Sequence, residues 1–199
     1  MMSSSNTIRN FFNRLAPSWK DDAGFAPVRD EITTRAAFPA GCAIADIGCG
    51  KGVMVPHLMY ANPRQIIELD LSDEMMRLNR DRWAGESRIT FICDDVLTAK
   101  LPAIDAAVIF NAYPHFMDKT ALAEKLTYTL PAGGTLIIAH SMGRDSINQI
   151  HKNKRSCGEV SIPLKSPLEE YEPFAGHFSL DDWEDSRRLY FMRLTRTAS

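Results

Sequence analysis

The sequence has no apolar run approaching the roughly 20 residues that span a bilayer. Its first ten residues, Met1 to Asn10, are polar and serine-rich and lack the apolar core of a secretory signal. Cysteine is scarce: Cys42, Cys49, Cys93 and Cys157 form no CxxC pair and no zinc-ribbon spacing, so neither a disulfide framework nor a cysteine-held metal is expected. An excess of either charge is missing too. Lys and Arg total 23 against 25 Asp and Glu, a net charge of −2, which gives the whole molecule no electrostatic footprint for nucleic acid or an anionic membrane. Repeats and low-complexity tracts are also lacking. These absences predict a reduced, cytoplasmic protein with no membrane or nucleic-acid partner, either monomer or homodimer.

What is present is ordinary globular material. With 199 residues, 45% of them hydrophobic, the chain suits one domain with a short extra cap. The reading divides it into an N-terminal tail and helical cap, 1–40, and a main domain, 41–199. The first ten residues read as a mobile tail with order beginning near Ile8; Phe11, Phe12 and Leu15 then sit at helical spacing before Pro17. A second helix is read over Pro27–Phe38. From Cys42 short apolar strands alternate with longer amphipathic stretches, the signature of βαβ units and a parallel sheet. The predicted strands are Cys42–Ile47, Gln65–Leu69, Ile89–Cys93, Ala106–Phe110 and Thr135–Ala139, with helices at Val53–Tyr60, Asp73–Trp83 behind the N-cap Ser72, and Thr120–Leu130.

The C-terminal end changes character. Ser166-Pro167-Leu168-Glu169 is a capping box, Pro173 shortens the helix it starts, and Gly176 follows. Two β-like runs come next, Phe178–Glu184 and Leu189–Thr195. Their link, Asp185 to Arg188, is too short for a parallel crossover and requires an antiparallel pair. The expected fold is a three-layer α/β/α Rossmann-like sandwich with a seven-stranded, mostly parallel sheet and an antiparallel last strand.

The sharpest local feature is Ala45-Asp46-Ile47-Gly48-Cys49-Gly50-Lys51-Gly52, where the first strand turns into a helix. A phosphate P-loop needs Ser or Thr after Gly50-Lys51 and a glycine where Ala45 stands, so it fails twice. The dinucleotide fingerprint needs glycine where Val53 stands. An acid followed by Gly48, Gly50 and Gly52 remains, and Asp70 lies 22 residues after Gly48, close to the roughly 20 at which a ribose-binding acid is placed.

These residues resemble the class I S-adenosylmethionine-dependent methyltransferases of the small-molecule type, and the resemblance extends from about Phe11 to Arg196. Glu68-Leu69-Asp70-Leu71-Ser72 with Met75 is similar to the family's second motif, and Phe91-Ile92-Cys93-Asp94-Asp95-Val96 to its third. Leu130-Pro131-Ala132-Gly133-Gly134 resembles the structural turn into strand five, with Ala132 departing from the usual proline-glycine step. The resemblance implies S-adenosylmethionine as cofactor. It assigns Asp46, Gly48, Cys49 (through its backbone) and Gly50 to the cofactor loop, Asp70 to ribose, Leu71 to packing on adenine, Met75 of the same motif to the cofactor site, and Asp95 and Val96 to adenine itself.

Chemistry is expected past the C-terminal ends of strands four and five, where Asn111-Ala112-Tyr113-Pro114-His115-Phe116 lies. Base-methylating enzymes carry two prolines after the first residue of this stretch; here Ala112 and Tyr113 stand instead, and Pro-His-Phe resembles small-molecule enzymes. Asn111 is read as facing the cofactor, and His115 as a base or acceptor-orienting group. His140, at the end of strand five, is the second catalytic candidate. Arg144 and His151 reach the same rim, while Lys152, Lys154 and Arg155 read as a charged helix end or as steering for an anion. Trp19 reads equally as a core residue or as an aromatic neighbour of the sulfonium. The predicted function is methyl transfer from S-adenosylmethionine to a small molecule, without a bound metal. The alternatives are a methyltransferase acting on RNA or protein and a non-catalytic cofactor-binding regulator.

Overall fold

The computed structural model describes residues 4–20, 23–153 and 159–198. Strands β1 (Ala43–Ile47), β2 (Gln65–Asp70), β3 (Ile89–Cys93), β4 (Ala106–Phe110), β5 (Thr135–His140), β6 (Phe178–Asp185) and β7 (Tyr190–Arg196) form one sheet in the order β3-β2-β1-β4-β5-β7-β6. The first five pair in parallel; β7 runs antiparallel to both β5 and β6, as the short link demands. The expected α/β/α sandwich is therefore the observed fold.

Helices α1 (Ser4–Leu15), α2 (Ala26–Ala36), α3 (Val55–Leu58), α4 (Asp73–Trp83), α5 (Lys119–Thr129), α6 (Arg144–Asn153) and α7 (Pro167–Tyr171) surround the sheet. Strand side chains alternate between faces. Thus Ala43, Ala45 and Ile47 join Leu122 and Leu126 of α5 in one core, while Ile44 and Val108 join Ile32 of α2 and Leu58 of α3 in the other. Helix α4 starts where Ser72 Oγ accepts the Met75 N–H, with Asp73 and Glu74 in its first turn and Arg80 and Arg82 in its last, matching the helix dipole at both ends. At α7 the capping box of Ser166 and Glu169 is complete, and the helix tightens into a 3₁₀ turn at Glu172–Phe174, which contains Pro173.

Two readings are corrected. The N-terminal segment is helical from Ser4 rather than mobile to Ile8, because its polar side chains find partners on the main domain instead of on neighbouring residues. The helix after the glycine loop is shorter than Val53–Tyr60: it spans four residues and passes into a 3₁₀ turn at Met59–Ala61. Among the basic residues singled out near α6, Lys154 and Arg155 lie outside the described residues, as does Cys157.

The strand order reverses between β1 and β4, whose first connections leave in opposite directions along the sheet. The crevice at the C-terminal ends of β1, β2 and β4 is therefore where an open α/β sheet accepts a ligand.

Candidate functional site

That crevice is a cleft, floored by Gly48, Cys49, Gly50, Asp70 and Asn111 and roofed by α1 with Ile8, Arg9 and Phe12. The glycine loop is tied to the end of β2, since the N–H groups of Gly48 and Cys49 both donate to Leu69 O. Gly48 has a φ of 73°, and a Cβ there would lie 2.6 Å from the Ala112 Cβ. The β4 segment and the loop can approach this closely only through a residue without a side chain. Gly50, at φ 54°, is a different case: a Cβ there would meet nothing nearer than Met75 Sδ at 4.0 Å, so the loop presents open backbone to the cleft.

Asp70 is the polar centre of the floor. Its Oδ2 accepts the Gly50 N–H at 2.9 Å and its Oδ1 the Ser72 N–H at 2.8 Å. Burial raises its pKa, and those N–H donors oppose the rise by favouring the charged form. Each oxygen keeps a lone pair for another donor. Further along, Asp95 accepts the Leu97 N–H through Oδ1 and the Ser5 hydroxyl, at 2.7 Å, through Oδ2; Leu71, Met75 and Val96 supply apolar walls beside it.

At the other end Asn111 sits at φ 54° with its amide committed to β5: Oδ1 accepts the Ser141 N–H at 2.9 Å, and Nδ2 donates to Ser141 Oγ at 3.1 Å. His115 follows on a 3₁₀ turn, Tyr113–His115. Its Nδ1 lies 2.7 Å from Val160 O; a carbonyl only accepts, so Nδ1 carries the proton and Nε2 the lone pair. Burial pushes the His115 pKa down to about 4, against the raising effect of the Val160 bond and with a further lowering from His151. The ring is therefore neutral at physiological pH.

The structure gathers Gly48, Cys49, Gly50, Asp70, Leu71, Met75, Asp95, Val96, Asn111 and His115 in this one cleft, together with Trp19. Asp46 and His140 do not line it. Alternation along β1 turns the Asp46 side chain to the α3 and α4 face, in register with Glu68, where it is 1% exposed. His140 is equally buried, edge-on to Tyr190 with ring centroids 5.9 Å apart. Burial drives its pKa to about 3, helped by His115 and His151. The rings of His115 and His151 stand 5.4 Å apart, but no cluster of three metal-ligating side chains occurs among the described residues.

Sequence reasoning overlooked α1 as a source of site residues. Ser5, Arg9 and Asn13 recur at four-residue intervals and reach Asp95 Oδ2, Leu71 O and Ser72 Oγ respectively, while Ile8 and Phe12 turn into the cleft. The spacing is a helical stripe visible in the sequence. It was masked because its residues are polar and a periodicity search weighs the apolar ones.

Residues 44–134 match the model of a family described as "Methyltransferase domain". A malonyl-[acyl-carrier protein] O-methyltransferase of Bacillus cytotoxicus is 22% identical over 157 residues, covering 76% of this chain and 55% of its own length. A ubiquinone biosynthesis O-methyltransferase of Xanthomonas axonopodis pv. citri is 26% identical, covering 64% of this chain and 58% of its own. The chain thus spans little more than half the length of these curated relatives. Among solved structures, the N-methyltransferase NodS of Bradyrhizobium japonicum, in complex with S-adenosyl-L-homocysteine, shares the fold with a TM-score of 0.71 at 14% identity, over 99% of this chain and 100% of that one.

Proposed function

We propose that the chain is a class I S-adenosylmethionine-dependent methyltransferase, a reading supported by the match of residues 44–134 to the methyltransferase-domain family, and that it methylates a small-molecule acceptor. The cofactor of this domain is S-adenosylmethionine, which supplies an activated methyl group on a sulfonium. The residues present fit it. Asp70 carries the reading: a buried carboxylate with one backbone N–H on each oxygen, beside open backbone at Gly50, is a site for a vicinal diol such as ribose. Asp95 is the matching acceptor for an exocyclic amine, with Leu71 and Val96 against the faces of a purine.

Displacement at a sulfonium disperses positive charge, so the chain has mainly to align the nucleophile and keep water out, effects that together supply about 7–11 kcal/mol. Asn111, held by Ser141, fixes the turn that carries His115 to the end of the cleft. Neutral His115 then accepts a hydrogen bond from the incoming acceptor. A small acceptor is supported by the cleft's position under α1 and by relatives named for malonyl-[acyl-carrier protein] and for ubiquinone biosynthesis. Unpaired Cys42, Cys49 and Cys93 support a reducing compartment such as the cytoplasm.

Titration with S-adenosylhomocysteine tests the reading. The wild-type chain should bind it, and Asp70→Asn should bind about 10- to 100-fold more weakly, the loss of a hydrogen bond to a charged group. Equal affinities would overturn the assignment of Asp70. Incubation with S-adenosylmethionine and a metabolite extract should yield S-adenosylhomocysteine; binding without turnover on any acceptor would favour a regulator over an enzyme.

A further inference from the structure

The end of the cleft beyond His115 is an aromatic enclosure. Phe12, on α1, packs edge-on against the His115 ring at 4.9 Å between centroids and against Trp19 at 6.3 Å. From the opposite side, the tip of the Phe116 ring lies 3.8 Å from where a Cβ on Gly48 would stand, which puts it against the cofactor loop. Lys51 of that loop donates to Trp19 O at 2.5 Å and so anchors the Trp19 backbone there. All four rings belong to residues lining the cleft. Of the Arg and Lys side chains in the described lining, Arg9 donates to Leu71 O with Asp73 Oδ2 3.9 Å from its Nε, and Lys51 donates to Trp19 O.

We infer that the acceptor is an uncharged aromatic molecule with a hydrogen-bond donor at the atom to be methylated, its ring packed among Phe12, Trp19 and Phe116 and its donor held by His115 Nε2. The inference rests on the methyltransferase reading and names the substrate class of the same site. Aromatic pairs favour edge-to-face and offset packing, which flat walls at differing inclinations provide. A neutral imidazole whose Nδ1–H is occupied by Val160 O offers only an acceptor, so it selects a hydroxyl or amine and repels a carboxylate, which would also face the acids Asp70, Asp94, Asp95 and Asp118 of the same lining. In the reaction the lone pair of the acceptor atom forms the bond to the methyl carbon as the carbon–sulfur bond breaks. S-adenosylhomocysteine is the leaving group. The acceptor's proton, acidified as the new bond forms, passes to Nε2 and from there to water.

Binding rather than turnover provides the test. Phenol, toluene and benzoate are titrated into the protein saturated with S-adenosylhomocysteine and followed by calorimetry. Phenol should bind at least about tenfold more tightly than either of the others. His115→Phe should abolish the preference for phenol over toluene, and Phe12→Ala should weaken phenol and toluene alike. Affinity for S-adenosylhomocysteine, read in the same cell, reports that each variant is folded. Benzoate binding as tightly as phenol, or wild type failing to distinguish phenol from toluene, would overturn the inference while leaving the methyltransferase reading intact. Failure of the wild type to bind S-adenosylhomocysteine would overturn that reading and this one with it.

Discussion

Ser5 Oγ donates a 2.7 Å hydrogen bond to Asp95 Oδ2, across 90 residues of sequence. The carboxylate proposed to receive an adenine amino group is thus already engaged by the first turn of the helix that roofs the cleft. Arg9 and Asn13 hold the same helix through Leu71 O and Ser72 Oγ, so α1 stays seated without Ser5.

Replacing Ser5 by alanine should therefore strengthen cofactor binding. The bond that adenine must displace is removed while the rest of the latch remains. A net hydrogen bond contributes about 0.5–1.5 kcal/mol, or roughly 2- to 10-fold in affinity. Calorimetric titration of S-adenosylhomocysteine into Ser5→Ala measures this directly; weaker binding would show that the hydroxyl's main service is to hold the roof in place.

Two glycines of one loop should respond differently to the same substitution. Gly48→Ala forces a methyl group to 2.6 Å from the Ala112 Cβ at a φ of 73°, and should destabilise the fold by about 1–3 kcal/mol in urea unfolding. Gly50→Ala carries backbone strain alone, because its methyl would enter the open cleft. It should cost less stability but at least about tenfold in affinity for S-adenosylhomocysteine, since the methyl occupies ligand space. Comparable stability losses in the two variants would contradict this division.

The buried pair Asp46 and Glu68 makes stability depend on pH. Desolvation raises both acids, Glu68 to about 7 and Asp46 well above its ordinary value, and Asn79 Nδ2 donates to Glu68 Oε2 at 2.7 Å. The folded chain therefore holds protons that the unfolded chain releases, and stability falls as pH rises from about 4.5 through 7, by up to about 1.4 kcal/mol per pH unit for each proton. His115 and His140 act oppositely. Depressed to about 4 and about 3, they stay neutral when folded, so stability is lost as pH falls below the unfolded value near 6.5. The two effects oppose one another between pH 4.5 and 6.5, and above that range only the acids contribute. Urea unfolding between pH 6.5 and 8 should show declining stability in wild type and a flatter profile in Glu68→Gln. Parallel profiles would exclude the pair as its source.

His115→Ala should lower turnover by about 100-fold or more with little change in affinity for S-adenosylhomocysteine, as expected for a group that touches the acceptor rather than the cofactor. Because the imidazole is neutral down to about pH 4, wild-type turnover should show no ionisation of His115 between pH 6 and 8. A single-turnover pH profile checks this, and an inflection near 6.5 that vanishes in the variant would place His115 in a more hydrated setting than the cleft provides.

Local and periodic signals in the sequence determined the architecture. Alternating apolar strands and amphipathic stretches require a parallel sheet, and the four-residue link before Leu189 requires the last strand to reverse. Gly48, Gly50 and Asp70 mark the proposed cofactor loop because a tight β-to-α turn, open backbone and an acid at fixed distance are properties of neighbouring residues. Only the tertiary structure decided which way individual side chains face. Asp46 belongs to the right loop but lies beneath it, because strand alternation and register pair it with Glu68. His140 ends the right strand yet is sealed in the core. Ser5, in a stretch read as a mobile tail, becomes part of the site because its hydroxyl meets Asp95. A polar side chain carries no periodic mark of its partner, and contacts between residues distant in sequence exist only once the sheet has brought them together.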